Sequence, residues 1–212
     1  MKQSINTRNG DITFEGKTFY PGLKTLVIET ATKNLLEVKN ILDAHNVKFG
    51  LIYGTLLGAI RENSFIKHDE DIDLFVLDED KEDLLAILHK FIDCGFEVIR
   101  YDKKLLSISR ENEYIDFYFF RKINYFYRKC DVGLIAKAKY LENTVDYNFL
   151  GENFQVPHKV ESFLEDLYGK SWKIPIKNDP SMNHNRYIIF RNIIKKYAPH
   201  LFKILSRIKK NL

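Results

Sequence analysis

Two aspartates one residue apart, Asp71 and Asp73 in the run DEDIDLFV, carry the clearest chemical signal in the chain. The segment DIDLFVL reads as a period-two strand, so both carboxylates fall on one face while Ile72 and Leu74 fall on the other. Their Cα atoms would then sit roughly 6.6–6.8 Å apart. Like charges at that spacing repel, and a hard divalent cation, Mg2+ or Mn2+, removes the penalty. Asp116 is a third candidate ligand. It is the lone acid in YIDFYFF, an apolar and aromatic strand in which an unpaired charge is costly. If that strand lies beside DIDLFVL, three carboxylates converge.

The complementary half of the site is YGTLLGAIR, residues 53–61. A strand that ends in Gly-Thr and opens a helix presents backbone N–H groups at the positive helix end, which suits a phosphate. Gly54 lets a ligand approach the backbone, Thr55 can cap or donate, and Arg61 can reach a phosphate bidentately. Asp116, or failing it Asp69 in the acidic loop 67–71, can complete a metal shell or accept a proton. Other templates fail. Leu74 occupies the position where a calcium loop needs Gly, and the chain has neither a GxxxxGK phosphate loop nor a GxGxxG after a strand.

The elements that must position these residues follow from periodicity. Residues 11–20 read as a short hairpin. The run 23–46 reads as a helix with Leu26, Leu35, Val38, Ile41 and Leu42 at helical spacing. VKFGLIYG is expected to be a buried strand ended by Gly54, and TLLGAIREN a short helix. KEDLLAILHKFIDCG reads as one amphipathic helix stopped by Gly95, followed by strands FEVIRY, LLSISR and YIDFYFF. NFLGENFQVPHK suggests a second hairpin and ESFLEDLYG a helix ending at Gly169. His158, Tyr168 and Trp172 read as core or interface residues. The pattern predicts an α/β (α+β) fold, a mixed sheet flanked by helices, over residues 1–185. A basic amphipathic helical appendage follows over 186–212.

The chain has 212 residues, 45% hydrophobic and 29% charged, and no run near the roughly 20 apolar residues of a spanning helix. The first residues lack an apolar leader core, which argues against a secretory signal. Two cysteines, Cys94 and Cys130, suit a reducing compartment, so the expected location is the cytoplasm. Of 33 Lys and Arg, eight lie from Arg186 onward, where there is no acid; the other 25 face 29 Asp and Glu. A mildly acidic body with a basic tail argues against a nucleic-acid partner. It fits a tail touching an anionic membrane, peripheral on the inner face.

Taken together, GTLLGAIRENSFIKHDEDIDLFV, IDFYFF and FQVPHKVESFLEDLYGKSWKIP resemble the signature of the LicD/fukutin family over about residues 24–180. The resemblance implies a nucleotidyltransferase-like fold and a magnesium-dependent transferase. Such enzymes move a phospho-substituent, of the phosphocholine or polyol phosphate type, from a CDP-activated donor. The implied acceptor is a cell-surface glycan of the capsule, lipopolysaccharide or teichoic-acid type. Asp71, Asp73 and Asp116 match the family's acidic positions. One departure is His68, where many members carry Trp; its ring would face donor or acceptor. The alternatives are a true nucleotidyltransferase that attaches NMP to a sugar, small molecule or protein, and a silent module that binds a glycan or nucleotide.

Overall fold

The computed structural model describes residues 2–17, 24–102, 104–130 and 134–175, so the C-terminal appendage expected from Arg186 lies outside the described residues. In chain order the elements are β1 (Lys2–Thr7), β2 (Gly10–Glu15), α1 (Ile28–Ala44), β3 (Gly50–Leu51), α2 (Tyr53–Glu62) and β4 (Ile72–Leu77). A 3-10 turn at Asp78–Asp80 leads to α3 (Lys81–Ala86), α4 (Leu88–Asp93), β5 (Glu97–Tyr101), β6 (Leu105–Arg110) and β7 (Glu113–Lys122). Then come β8 (Tyr127–Cys130), β9 (Ile135–Lys137), α5 (Ala138–Glu142), β10 (Val145–Phe149), β11 (Glu152–Val156) and α6 (Val160–Tyr168).

The main sheet runs β3-β4-β7-β6-β5, with β8 and β9 continuing from the far end of β7. Only one pair in this path, β4 with β7, is parallel; the others are antiparallel. Ile72, Leu74 and Val76 of β4 and Ile115, Phe117 and Phe119 of β7 are buried on one face of these central strands. Helix α1 packs against β7, burying Ala31, Leu35, Val38 and Leu42 at 3.6-residue spacing. Its entry is fixed by Glu113 at the start of β7. That carboxylate accepts the Lys24 ammonium at 2.6 Å and the Val27 N–H at 3.1 Å. The neighbouring Leu26 N–H donates to Asp69 O at 2.8 Å, so the same segment anchors the acidic loop.

Several elements differ from the sequence expectation. The hairpin expected over 11–20 runs into 18–20, outside the described residues; within them Gly10–Glu15 pairs with Lys2–Thr7 through a turn at Arg8-Asn9. Gly10 there takes φ +110, in the region that favours glycine. The helix expected over 81–95 is two short helices broken at Ile87. The carbonyl of Ala86 at the break accepts Asn9 Nδ2 at 2.9 Å from the hairpin turn, and His89 Nδ1 lies 3.1 Å from it. The expected strand before Gly54 is only two residues long. Its successor α2 begins at Tyr53, which places Gly54 inside the first helical turn. The β8–β9 pair and α5 have no counterpart in the periodicity reading. The hairpin at 148–159 and the helix ending at Gly169 are present as β10–β11 and α6.

Candidate active site

Four polar side chains form one row across four neighbouring strands. Asp73 of β4 lies in register with Asp116 of β7, Asp116 with Ser107 of β6, and Ser107 with Arg100 of β5. Asp73 is 5% exposed and Asp116 1%, so both carboxylates sit inside the protein. Arg100 reaches along the row: Nε donates to Ser107 Oγ at 3.0 Å and Nη2 to Asp116 Oδ2 at 2.7 Å. The Tyr118 hydroxyl lies 3.3 Å from the same oxygen and donates to it. Asp71 is half-buried in the bend just before β4. The two strands that carry the acids are the parallel pair, with Asp73 second in β4 and Asp116 fourth in β7.

Asp73 is held from the α2 side. The Gly54 N–H donates to Asp73 Oδ2 at 3.0 Å, the Asp73 N–H donates to Thr55 Oγ1 at 2.8 Å, and the Ile52 N–H donates to Asp73 O at 3.2 Å. Thr55 is fully buried. The helix start expected to cradle a phosphate therefore spends the Gly54 amide and the Thr55 hydroxyl on orienting Asp73. The glycines of GTLLGA have a matching reason. A Cβ at Gly54 would meet Asp69 Oδ2 at 2.2 Å, and one at Gly58 would meet Ser64 O at 2.5 Å. Both contacts are too close for any side chain, so Gly54 admits the Asp69 carboxylate and Gly58 admits the loop that carries it.

The electrostatics are those of crowded, desolvated acids. Burial pushes Asp69 up to about 6 against a lowering hydrogen bond from the Glu70 amide, with Glu70's charge adding to the rise. Asp71 is pushed up to about 8, first by burial and then by the charges of Asp116, Asp69 and Glu70, with Arg100 opposing. Asp73 and Asp116 are also raised, each chiefly by burial; Arg100, Ser107 and Tyr118 pull Asp116 back. Among the described residues two carboxylate oxygens, Asp69 Oδ2 and Asp116 Oδ1, are buried without a hydrogen-bond partner. Such a set of hard oxygen donors fits a divalent cation. Among the described residues no three acids, histidines or cysteines are grouped so that together they could hold a metal ion. Open coordination by one or two carboxylates is the usual mode for Mg2+, which keeps water and takes substrate phosphates as further ligands.

Tyrosines surround the acids. Tyr53 and Tyr118 stack edge to face at 4.8 Å, and burial raises both phenols, with Asp73 adding to each. Tyr168 of α6 is raised by burial and then by Asp73 and Asp69. It had read as a core residue, yet it registers the charge of the cluster. Arg100, Ser107, Tyr118 and Tyr168 were all missed by sequence reasoning. Arg61, at the last turn of α2, forks onto the adjacent Glu62, with Nε at 2.9 Å from Oε1. Its charge opposes the rise at Tyr168, so it faces the site's edge rather than the acid row. His68 is exposed on the loop, and Trp172 is buried.

Residues 46–159 match the family model described as LicD/FKTN/FKRP, nucleotidyltransferase domain. Among curated proteins, the chain is 28% identical over 196 residues to the uncharacterized protein RP689 of Rickettsia prowazekii, covering 89% of this chain and 65% of that one. It is 25% identical over 168 residues to the ribitol-5-phosphate transferase FKTN of Homo sapiens, covering 73% of this chain and 36% of that one. The chain thus spans between about a third and two thirds of these relatives' length. In three dimensions it is similar to the solution structure of the antibiotic-resistance factor ANT(2'')-Ia. That match has a TM-score of 0.51 and 13% identity, and covers 88% of this chain and all of the other. Likeness at that identity is one of fold, the nucleotidyltransferase fold.

Proposed function

The chain belongs to the LicD/FKTN/FKRP nucleotidyltransferase-domain family, and on that premise we propose a metal-dependent transfer of a phospho-substituent from a CDP-activated donor to a hydroxyl of a glycan. The observation that supports this reading most is the Asp73–Asp116 rung, with Asp71 and Asp69 beside it and two buried carboxylate oxygens lacking partners. Asp71, Asp73 and Asp116 would hold Mg2+ or Mn2+. The bound ion would neutralise the donor's diphosphate and polarise the phosphorus.

The chain's own residues would do the rest. Gly54 and Thr55 keep the Asp73 carboxylate aimed along the row. Tyr53, Tyr118 and Tyr168, each partly buried near the acids, would lower the local polarity and strengthen charge interactions there. The acceptor hydroxyl oxygen attacks the phosphorus that bears the alcohol, the bond from that phosphorus to the bridging oxygen breaks, and CMP leaves. The hydroxyl proton passes to a carboxylate. Asp116 or Asp69 would take it; Asp69 has a value of about 6, near neutral pH. Exposed His68 and the partly buried Arg61 would meet the ends of the substrate.

Incubating the protein with CDP-choline, CDP-ribitol, CDP-glycerol or plain NTPs, each with Mg2+, tests the assignment by its product. Release of CMP from a CDP-alcohol is expected. Pyrophosphate release from an NTP, with every CDP-alcohol left intact, would replace this reading with true nucleotidyl transfer.

A further inference from the structure

Arg100 reaches the acid row only because β5 is irregular. Val98 pairs with Ile108, but the next partner of β6, Ser107, is met by Arg100 rather than Ile99. Ile99 is the extra residue of a β-bulge, a device that re-aims the side chains that follow it. In an unbroken ladder Arg100 would face Leu106, which is fully buried on the opposite side of the sheet from Ser107 and Asp116. The bulge is pinned from outside the sheet: the Lys17 N–H, just beyond β2, donates to Ile99 O at 2.9 Å.

The delivered guanidinium stands between two environments. It donates to Asp116, whose side chain is 2% exposed, while the Arg100 side chain itself is 38% exposed. Arg100 is also among the residues that line a cavity of about 310 Å³ with Gln3, Lys17, Tyr101 and Asp102. A planar fork held by a buried carboxylate, on a side chain that is itself partly open to solvent, can exchange one anion for another. Arginine is also the side chain best matched to a phosphate's paired oxygens.

We propose that Arg100 is a substrate-phosphate-binding residue of the transfer site, resting on Asp116 until an anionic substrate arrives. This rests on the reading of the acid row as a cation-dependent phosphate site. Its consequence is a divided effect. Arg100 competes with a cation for Asp116 when no substrate is present, and it binds the phosphate when substrate is present. A purely structural residue would move both affinities the same way.

Calorimetry on the full chain separates the cases, using Mn2+ alone, then CDP or inorganic pyrophosphate at saturating Mg2+. For Arg100→Gln the expected result is Mn2+ binding at least as tight as wild type, with CDP weakened about tenfold or more. Arg100→Lys, which keeps the charge and loses the fork, should fall between; it also serves if the Gln variant melts early. Unchanged CDP affinity in both variants overturns the proposal, as does parallel loss of Mn2+ and CDP. If wild type binds pyrophosphate but not CDP, and Arg100→Gln loses the pyrophosphate, the cytidine reading fails and Arg100 keeps its role. Binding of neither ligand by wild type refutes both.

Discussion

Opposite ends of β7 carry two clusters of buried charge, and they obey opposite rules. At the C-terminal end Arg128 is 3% exposed, yet its fork meets Glu79 at 2.7 and 2.6 Å, Glu142 at 2.8 Å and the Phe120 carbonyl at 3.0 Å. The hydrogen bond from Arg128 holds Glu79 below its ordinary range. At the N-terminal end, acids crowd around Asp73 and Asp116, are driven upward, and leave two oxygens unpartnered. The first cluster joins β8 to the turn after β4 and to α5. The second stabilises nothing by itself and persists because Gly54, Thr55 and the strand ladders over-determine it. Buried charge that is satisfied reads as structure. Buried charge left frustrated in a conserving frame of hydrogen bonds reads as a site awaiting opposite charge.

That contrast is sharpest in a pair of substitutions with opposite signatures. Asp73→Asn keeps an acceptor for the Gly54 N–H and removes a desolvated charge. It should lower turnover by about a thousandfold or more through loss of a metal ligand. Its unfolding temperature without cation should be no lower than wild type's. Arg128→Met should do the reverse: about 2 kcal/mol of stability lost, since Glu79 and Glu142 can turn to water, with turnover per folded molecule unchanged. Thermal melts and initial rates on both variants check this. A destabilised Asp73→Asn, or an Arg128→Met that is stable but slow, would erase the distinction.

A smaller effect concerns pH. The ordinary value for the aspartates is 3.8, and the folded protein holds Asp69 at about 6 and Asp71 at about 8. The folded chain therefore binds more protons than the unfolded chain between these limits, and stability falls as pH rises through them. From pH 6 to 8 the loss expected from Asp71 is about 2 kcal/mol. Glu79 has the opposite sign. Lowered from 4.5, it contributes stability above its unfolded value that disappears as pH falls through the folded one. Urea unfolding of the cation-free protein at pH 6 and 8 should show the decline, and Asp71→Asn should flatten it. Stability that climbs over this range in wild type would contradict the crowded-acid account.

The sequence carried the acid row further than it carried the row's supports. Period two places Asp73 opposite Ile72 and Leu74, and a lone acid in YIDFYFF points to the neighbouring strand; the parallel pairing of β4 with β7 brings these together. Arg100 was invisible for a physical reason. In FEVIRY strict alternation turns it away from the acids, and only the bulge at Ile99, pinned by the distant Lys17, reverses it. Tyr168 was hidden likewise, because its approach to Asp73 depends on how α6 packs rather than on local spacing. Gly54 and Thr55 were recognisable as special, but their partner was not. Sequence favoured an external phosphate, whereas the fold supplies Asp73 itself. The β1 strand was missed because KQSINT offers Ile5 as its sole apolar residue.

The central claim is that Asp71, Asp73 and Asp116 form a cation site that works together with a diphosphate. Electron paramagnetic resonance of Mn2+ tests it directly, with CDP present and a protein-free control for the nucleotide's own binding. Wild type should deplete the free Mn2+ signal well beyond that control, and Asp71→Asn and Asp73→Asn should each return it to the control level. A wild-type signal equal to the control, or variants that deplete Mn2+ as fully as wild type, would contradict the account.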